Sequence, residues 1–120
     1  MARLLVVDDE RDIRHLYSAE LADAGYQVDT AASAAEAGEL LAREAFDLMI
    51  LDVQMKGESG LQLLQRLVRE KHKVPVILCT AFGCYKDDFS SWLADAYVVK
   101  SADLDELKSE VARVLKKHQQ

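Results

Sequence analysis

Acidic, hydroxyl and amino side chains recur where short apolar runs stop. Asp8 and Asp9 follow "LLVV", Asp52 follows "LMIL", Thr80 closes "VILCT", and Lys100 follows "YVV". Grouped carboxylates suit a hard divalent cation with oxygen ligands, and Mg²⁺ is the abundant choice. A lysine and a hydroxyl can neutralise and hydrogen-bond an anion. One carboxylate can itself be the nucleophile that accepts a phosphoryl group. Taken singly, each residue has a plainer role: an Asp in a turn, a Thr in a strand, a Lys in water. The chemistry requires a fold that brings them together.

The pattern between these residues supplies such a fold. Short β-rich runs span residues 3–7, 26–30, 47–51, 76–80 and 96–99. Several are apolar without alternation, as parallel strands covered on both faces are. Helical stripes lie between and after them. Ile13, Leu16, Tyr17 and Leu21 share one face, and Leu40 and Leu41 follow a Ser33/Glu36 capping box. Leu61, Leu64, Leu67 and Val68 form a third stripe, and Tyr85, Phe89, Trp92 and Leu93 a shorter fourth. Leu104, Leu107, Val111, Val114 and Leu115 form the last, with Asp103 and Glu106 as capping chemistry. Gly25, Gly57, Gly60 and Gly83 mark turns. Five strand–helix units predict an α/β fold, an open, doubly wound parallel sheet with right-handed crossovers. In such sheets sites form beyond the carboxyl ends of the strands, the edge where all of these polar residues fall.

Length and composition narrow the function. The 120 residues amount to one domain, spanning 1–120. A net charge of −6 argues against direct nucleic-acid binding. Lys116, Lys117 and His118 read as the solvated end of the last helix. No apolar run approaches the ~20 residues of a membrane span, and no signal peptide opens the chain. Cys79 and Cys84 make no disulfide framework. A cytoplasmic protein without a membrane partner is the expectation.

The stretches "LLVVDDE", "DLMILDVQMKGESGLQLL", "VPVILCTA" and "ADAYVVKS" together resemble the receiver domain of two-component response regulators, over nearly the whole chain. The resemblance implies a flavodoxin-like fold with strand order 2-1-3-4-5. The first and third strands are then neighbours, and Asp8, Asp9 and Asp52 share a cleft. Two carboxylates ~4 Å apart repel by about 4 kcal/mol at an effective dielectric of about 20, so a cation is needed.

By position, Asp52 is the implied phosphoacceptor. The resemblance makes Asp9 the direct Mg²⁺ ligand, with Asp8 helping directly or through water and Asp52 and the Gln54 backbone carbonyl as further ligands. Thr80 and Lys100 would hold the phosphoryl group. Tyr97, which could equally be core packing, matches an aromatic switch position. Gln54, Ala81 and Phe82 occupy positions that modulate the site, and the bulk of Phe82 is expected to slow attack of water. The implied partners are a histidine kinase or phosphotransfer protein as donor and an unknown output protein. The donor meets the first helix and site loops; the output meets the fourth helix, fifth strand and fifth helix. A monomer or weak phosphorylation-dependent dimer is implied. So is a switch rather than a separate enzyme, with self-catalysed phosphotransfer and dephosphorylation alone.

Three departures stand out. Ser101 replaces the usual proline after the lysine, and a cis bond without proline costs about 2.5–4 kcal/mol, so Lys100–Ser101 is expected to be trans. Lys56 replaces proline after Met55, which adds a backbone donor and loosens the loop. Residues 83–96 leave room for only a brief fourth helix. Competing functions fit less well. Aspartyl-phosphate hydrolases carry Asp-x-Asp after the first strand and a cap domain, whereas Asp8 and Asp9 are adjacent and no cap fits. A flavin-binding domain needs a hydroxyl-rich loop after the first strand. A degenerate receiver, serving only as an interaction module, need not keep the full polar set.

Overall fold

A computed structural model describes residues 1–80, 94–100 and 104–118. Among the described residues nine elements run in the order β1 (Arg3–Val7), α1 (Arg11–Asp23), β2 (Gln27–Ala31), α2 (Ala34–Arg43), β3 (Leu48–Asp52), α3 (Gly60–Arg69), β4 (Val76–Thr80), β5 (Ala96–Val99) and α4 (Asp105–His118). All strand pairings are parallel, and the sheet order is β2-β1-β3-β4-β5. The expected doubly wound, flavodoxin-like sheet is therefore present.

Strand alternation divides the apolar residues between two covers. Leu4, Val6, Leu48, Ile50, Ile77 and Cys79 face a core closed by Tyr17 and Leu21 of α1 and by Leu107, Val111 and Val114 of α4. Leu5, Val7, Met49, Leu51, Val76 and Leu78 face a second core closed by Ala37 and Leu41 of α2 and by Leu63, Leu64 and Leu67 of α3. Burial on both faces explains why β1, β3 and β4 read as unbroken apolar runs. Each fully buried Leu or Ile contributes about 1.5–3 kcal/mol.

Local details depart from the sequence reading. β2 begins one residue late, because the Tyr26 N–H bonds the Leu21 carbonyl at 3.2 Å and closes the end of α1. Gly25 makes that reversal with φ +100°. β2 extends to Ala31, which pairs with Val7. β3 is also shifted. The Asp47 carboxylate accepts the Arg3 N–H at 2.7 Å, and Asp52 joins the ladder opposite Cys79. Leu16, expected on the buried stripe, is 43% exposed, whereas Tyr17 and Leu21 are buried. Ser33 caps α2 by accepting the Glu36 N–H, but Glu36 accepts from Ala32 rather than Ser33, so the box is not reciprocal. The expected helix at Tyr85, Phe89, Trp92 and Leu93 lies outside the described residues. So do Gly83, Cys84, Asp103 and the Lys100–Ser101 bond.

Candidate functional site

β1 delivers Asp8 to the sheet edge, and three contacts fix it there. Its N–H bonds the Ala31 carbonyl at 3.1 Å, extending the β1–β2 ladder. Its Oδ1 accepts the Glu10 N–H at 2.9 Å, turning the chain into α1. Arg14 of α1 donates from Nη1 to the Asp8 carbonyl at 2.7 Å. Glu10 is the N-cap residue of α1 but makes no side-chain cap.

Asp52 ends β3, and α3 packs directly over its backbone. The Val53 N–H bonds the Cys79 carbonyl at 3.0 Å, and the Gly60 N–H bonds the Val53 carbonyl at 2.9 Å. A Cβ on Gly60 would overlap the Asp52 carbonyl oxygen, so glycine is needed there for close approach rather than for a turn. Ser59 and Gln62 form a reciprocal capping box at the start of α3. It satisfies two backbone donors beside the site.

The predicted site residues converge. Asp8, Asp9 and Asp52 each offer a carboxylate oxygen, and these atoms lie within 4.8 Å of one another. Asp8 and Asp52 are buried, while Asp9 is half-buried. Lys100, one residue beyond β5, places Nζ 2.7 Å from Asp8 Oδ2 and 3.2 Å from Asp52 Oδ1. Thr80 is buried at the end of β4, between the strands that carry Asp52 and Lys100. The Lys100 N–H bonds the Thr80 carbonyl at 2.6 Å. Tyr97 pairs opposite Leu78 and packs, half-buried, on the α2–α3 face. Gln54 is exposed, and its backbone N–H bonds the Asp52 carboxylate. Ala81 and Phe82 lie outside the described residues.

Electrostatics follow from this crowding. Burial pushes the Asp52 carboxyl up to about 6, and the Asp8 charge adds to the rise; Lys100 and the Gln54 N–H only partly oppose it. Burial pulls the other way on Lys100, but its hydrogen bond to Asp8 and the Asp52 and Asp8 charges together hold it above its ordinary value. Cys79 is buried and its thiol is pushed up to about 12 by desolvation, as befits a small core hydrophobe.

Two contributors escaped sequence reasoning, and a third was foreseen only as an added donor. Arg14 is one, and nothing in its spacing marks it. Gly60 was read as a turn. Lys56 is the third: its N–H, which proline would lack, donates to Asp9 Oδ2 at 3.1 Å. The donor set is all oxygen, two of the three acids are buried, and among the described residues Lys100 faces them. That set fits a hard divalent cation that keeps some water.

The profile of the response regulator receiver domain family matches residues 4–112. The response regulator protein PilR of Pseudomonas aeruginosa is 36% identical over 116 residues, 95% of this chain but 26% of PilR, so the chain spans about a quarter of that relative's length. Among solved structures, the response regulator TrrA of Thermotoga maritima in complex with Mg²⁺-BeF is 46% identical, with a TM-score of 0.91 over 95% of this chain and 99% of TrrA. TrrA in complex with the histidine kinase ThkA matches with a TM-score of 0.90 at 46% identity over 96% of this chain and 99% of that one. On this sequence, sheet and site, the chain belongs to the response regulator receiver domain family.

Proposed function

We propose that this chain is a phosphorylation-dependent signalling switch that accepts a phosphoryl group on Asp52, with Mg²⁺, from a histidine kinase or phosphotransfer protein. One observation carries the reading. Lys100 Nζ bridges Asp8 and Asp52 at 2.7 and 3.2 Å, in the pocket where three carboxylates converge. TrrA, 46% identical, has been captured with Mg²⁺-BeF and with a histidine kinase, which supports both the cation and the donor.

In this reading an Asp52 oxygen forms the new O–P bond as the N–P bond to the donor histidine breaks. The proton needed by the leaving imidazole comes from solvent or the donor. Asp52 must be ionised to attack. Asp8, Asp9 and the Gln54 carbonyl would hold the cation, which supplies charge neutralisation to the phosphoryl oxygens when bound. Lys100 turns from the carboxylates toward a phosphoryl oxygen, and the Thr80 hydroxyl bonds another. Because the Lys100 N–H holds the Thr80 carbonyl, the ends of β4 and β5 respond together. The change passes through Tyr97 to the edge strand β5, where an output partner docks. Leu16, exposed on α1, belongs to the donor-facing side. A cytoplasmic location follows from such a donor.

The test is incubation of the full chain with Mg²⁺ and acetyl phosphate, followed by intact-mass measurement. One added phosphoryl group, absent without Mg²⁺ and absent in Asp52→Asn, is the expected result. No gain in mass in wild type, or an undiminished gain in Asp52→Asn, refutes it.

A further inference from the structure

Each acid of the pocket has its own backbone donor. Asp8 accepts from Glu10 and Asp52 from Gln54. Asp9 accepts from Lys56, at 3.1 Å, across 47 residues of chain. Asp8 and Asp52 are additionally gripped by Lys100, and both are buried, whereas Asp9 is half-buried. A half-buried carboxylate on a loop has rotamers that point away from the pocket. The Lys56 N–H holds Asp9 in one that points in.

We infer that the backbone N–H of Lys56 is a positioning donor for Asp9 that sets how tightly the acidic pocket binds Mg²⁺. This rests on the metal-binding role proposed above. The hydrogen bond and the convergence of the three carboxylates occur in the same arrangement, so the donor does not compete with the pocket's shape. Lys56 engages Oδ2, and a carboxylate has a second oxygen and further lone pairs for a cation, so a supporting hydrogen bond and metal ligation are compatible. The donor belongs to the loop that also carries Gln54, so one contact ties both ends of the ligand set together. Partners of this kind change metal affinity by about 10–100-fold. The exposure of Lys56 puts it at the lower end. Coupling is reciprocal: if the bond favours Mg²⁺, Mg²⁺ strengthens the bond by the same factor.

The experiment titrates MgCl₂ into the full chain by calorimetry for wild type, Lys56→Ala and Lys56→Pro, and follows exchange of the Lys56 amide by NMR. Lys56→Ala keeps the N–H and should bind Mg²⁺ like wild type. Lys56→Pro deletes it and should bind roughly tenfold more weakly. In wild type, saturating Mg²⁺ should slow exchange of the Lys56 amide by about the same factor. Equal affinity of wild type and Lys56→Pro overturns the inference, as does equal weakening in both variants. If the proline disturbs folding, amide exchange in wild type decides alone, and exchange that is unchanged or faster with Mg²⁺ overturns it. Failure of wild type to bind millimolar Mg²⁺ overturns the metal-binding role itself and the inference with it.

Discussion

Asp52→Asn should stabilise the protein in the absence of divalent cations. The Asp52 carboxyl, ordinarily near 3.8, sits at about 6 because it is buried beside Asp8. Below 3.8 neither the folded nor the unfolded chain ionises it, so it costs nothing. As pH rises from 3.8 to about 6 the unfolded chain gives up the proton first, and folded stability falls. Above about 6 the full penalty stands. That rise corresponds to about 3 kcal/mol. Solvent at the mouth of the cleft screens part of it, leaving about 1–2 kcal/mol. With a urea slope of about 1–3 kcal/mol per molar, the unfolding midpoint of Asp52→Asn at pH 7.5 in EDTA should exceed that of wild type by roughly 0.5–1 M. The gap should close as pH falls toward 4. Saturating Mg²⁺ should also close or reverse it, because a ligand at 100 times its Kd stabilises the binding-competent wild type by about 2.7 kcal/mol. An Asp52→Asn protein no more stable than wild type in EDTA at pH 7.5, or a gap that widens toward pH 4, refutes the reasoning.

Lys100→Ala removes a cation shared by Asp8 and Asp52; calorimetry should show Mg²⁺ binding at least ~10-fold tighter, while phosphoryl uptake by intact mass falls by about the same factor or more. Gly60→Ala drives a methyl group into the Asp52 carbonyl and should cost about 1–3 kcal/mol in urea unfolding, with slower phosphoryl uptake because the nucleophile's backbone must move. Ser59→Ala breaks the reciprocal box at α3 and should cost about 1 kcal/mol, leaving Mg²⁺ affinity within a few-fold of wild type.

The residues that made the fold legible are those whose pattern is local. Unbroken apolar runs such as Leu48–Leu51 reveal burial on both faces, and polar residues at their ends mark the edge where a site must form. Strand order is not local: the adjacency of β1 and β3, on which the convergence of Asp8 and Asp52 depends, came from the family resemblance, and the pairing of Leu4 with Leu48 bears it out. Boundaries slipped by one residue at Tyr26 and Asp47 because both spend their backbone groups on turns and cross-strand bonds that apolar patterning does not record. The reciprocal capping box was expected at Ser33/Glu36 but occurs at Ser59/Gln62; both pairs have the same spacing, and only the path of the preceding chain decides whether the third residue can reach back. Gly60 and Lys56 illustrate a deeper limit. Their roles depend on backbone atoms of Asp52 and on the carboxylate of Asp9, which are brought near only by the finished fold.

The switch chemistry is decided most directly by which residue carries the phosphoryl group. Wild type would be treated with acetyl phosphate and Mg²⁺, reduced with borohydride to convert an aspartyl phosphate into homoserine, and mapped by peptide mass spectrometry. Homoserine at position 52, with positions 8 and 9 unchanged, is the predicted result. Conversion at position 8 or 9, or none at any of the three, would contradict it.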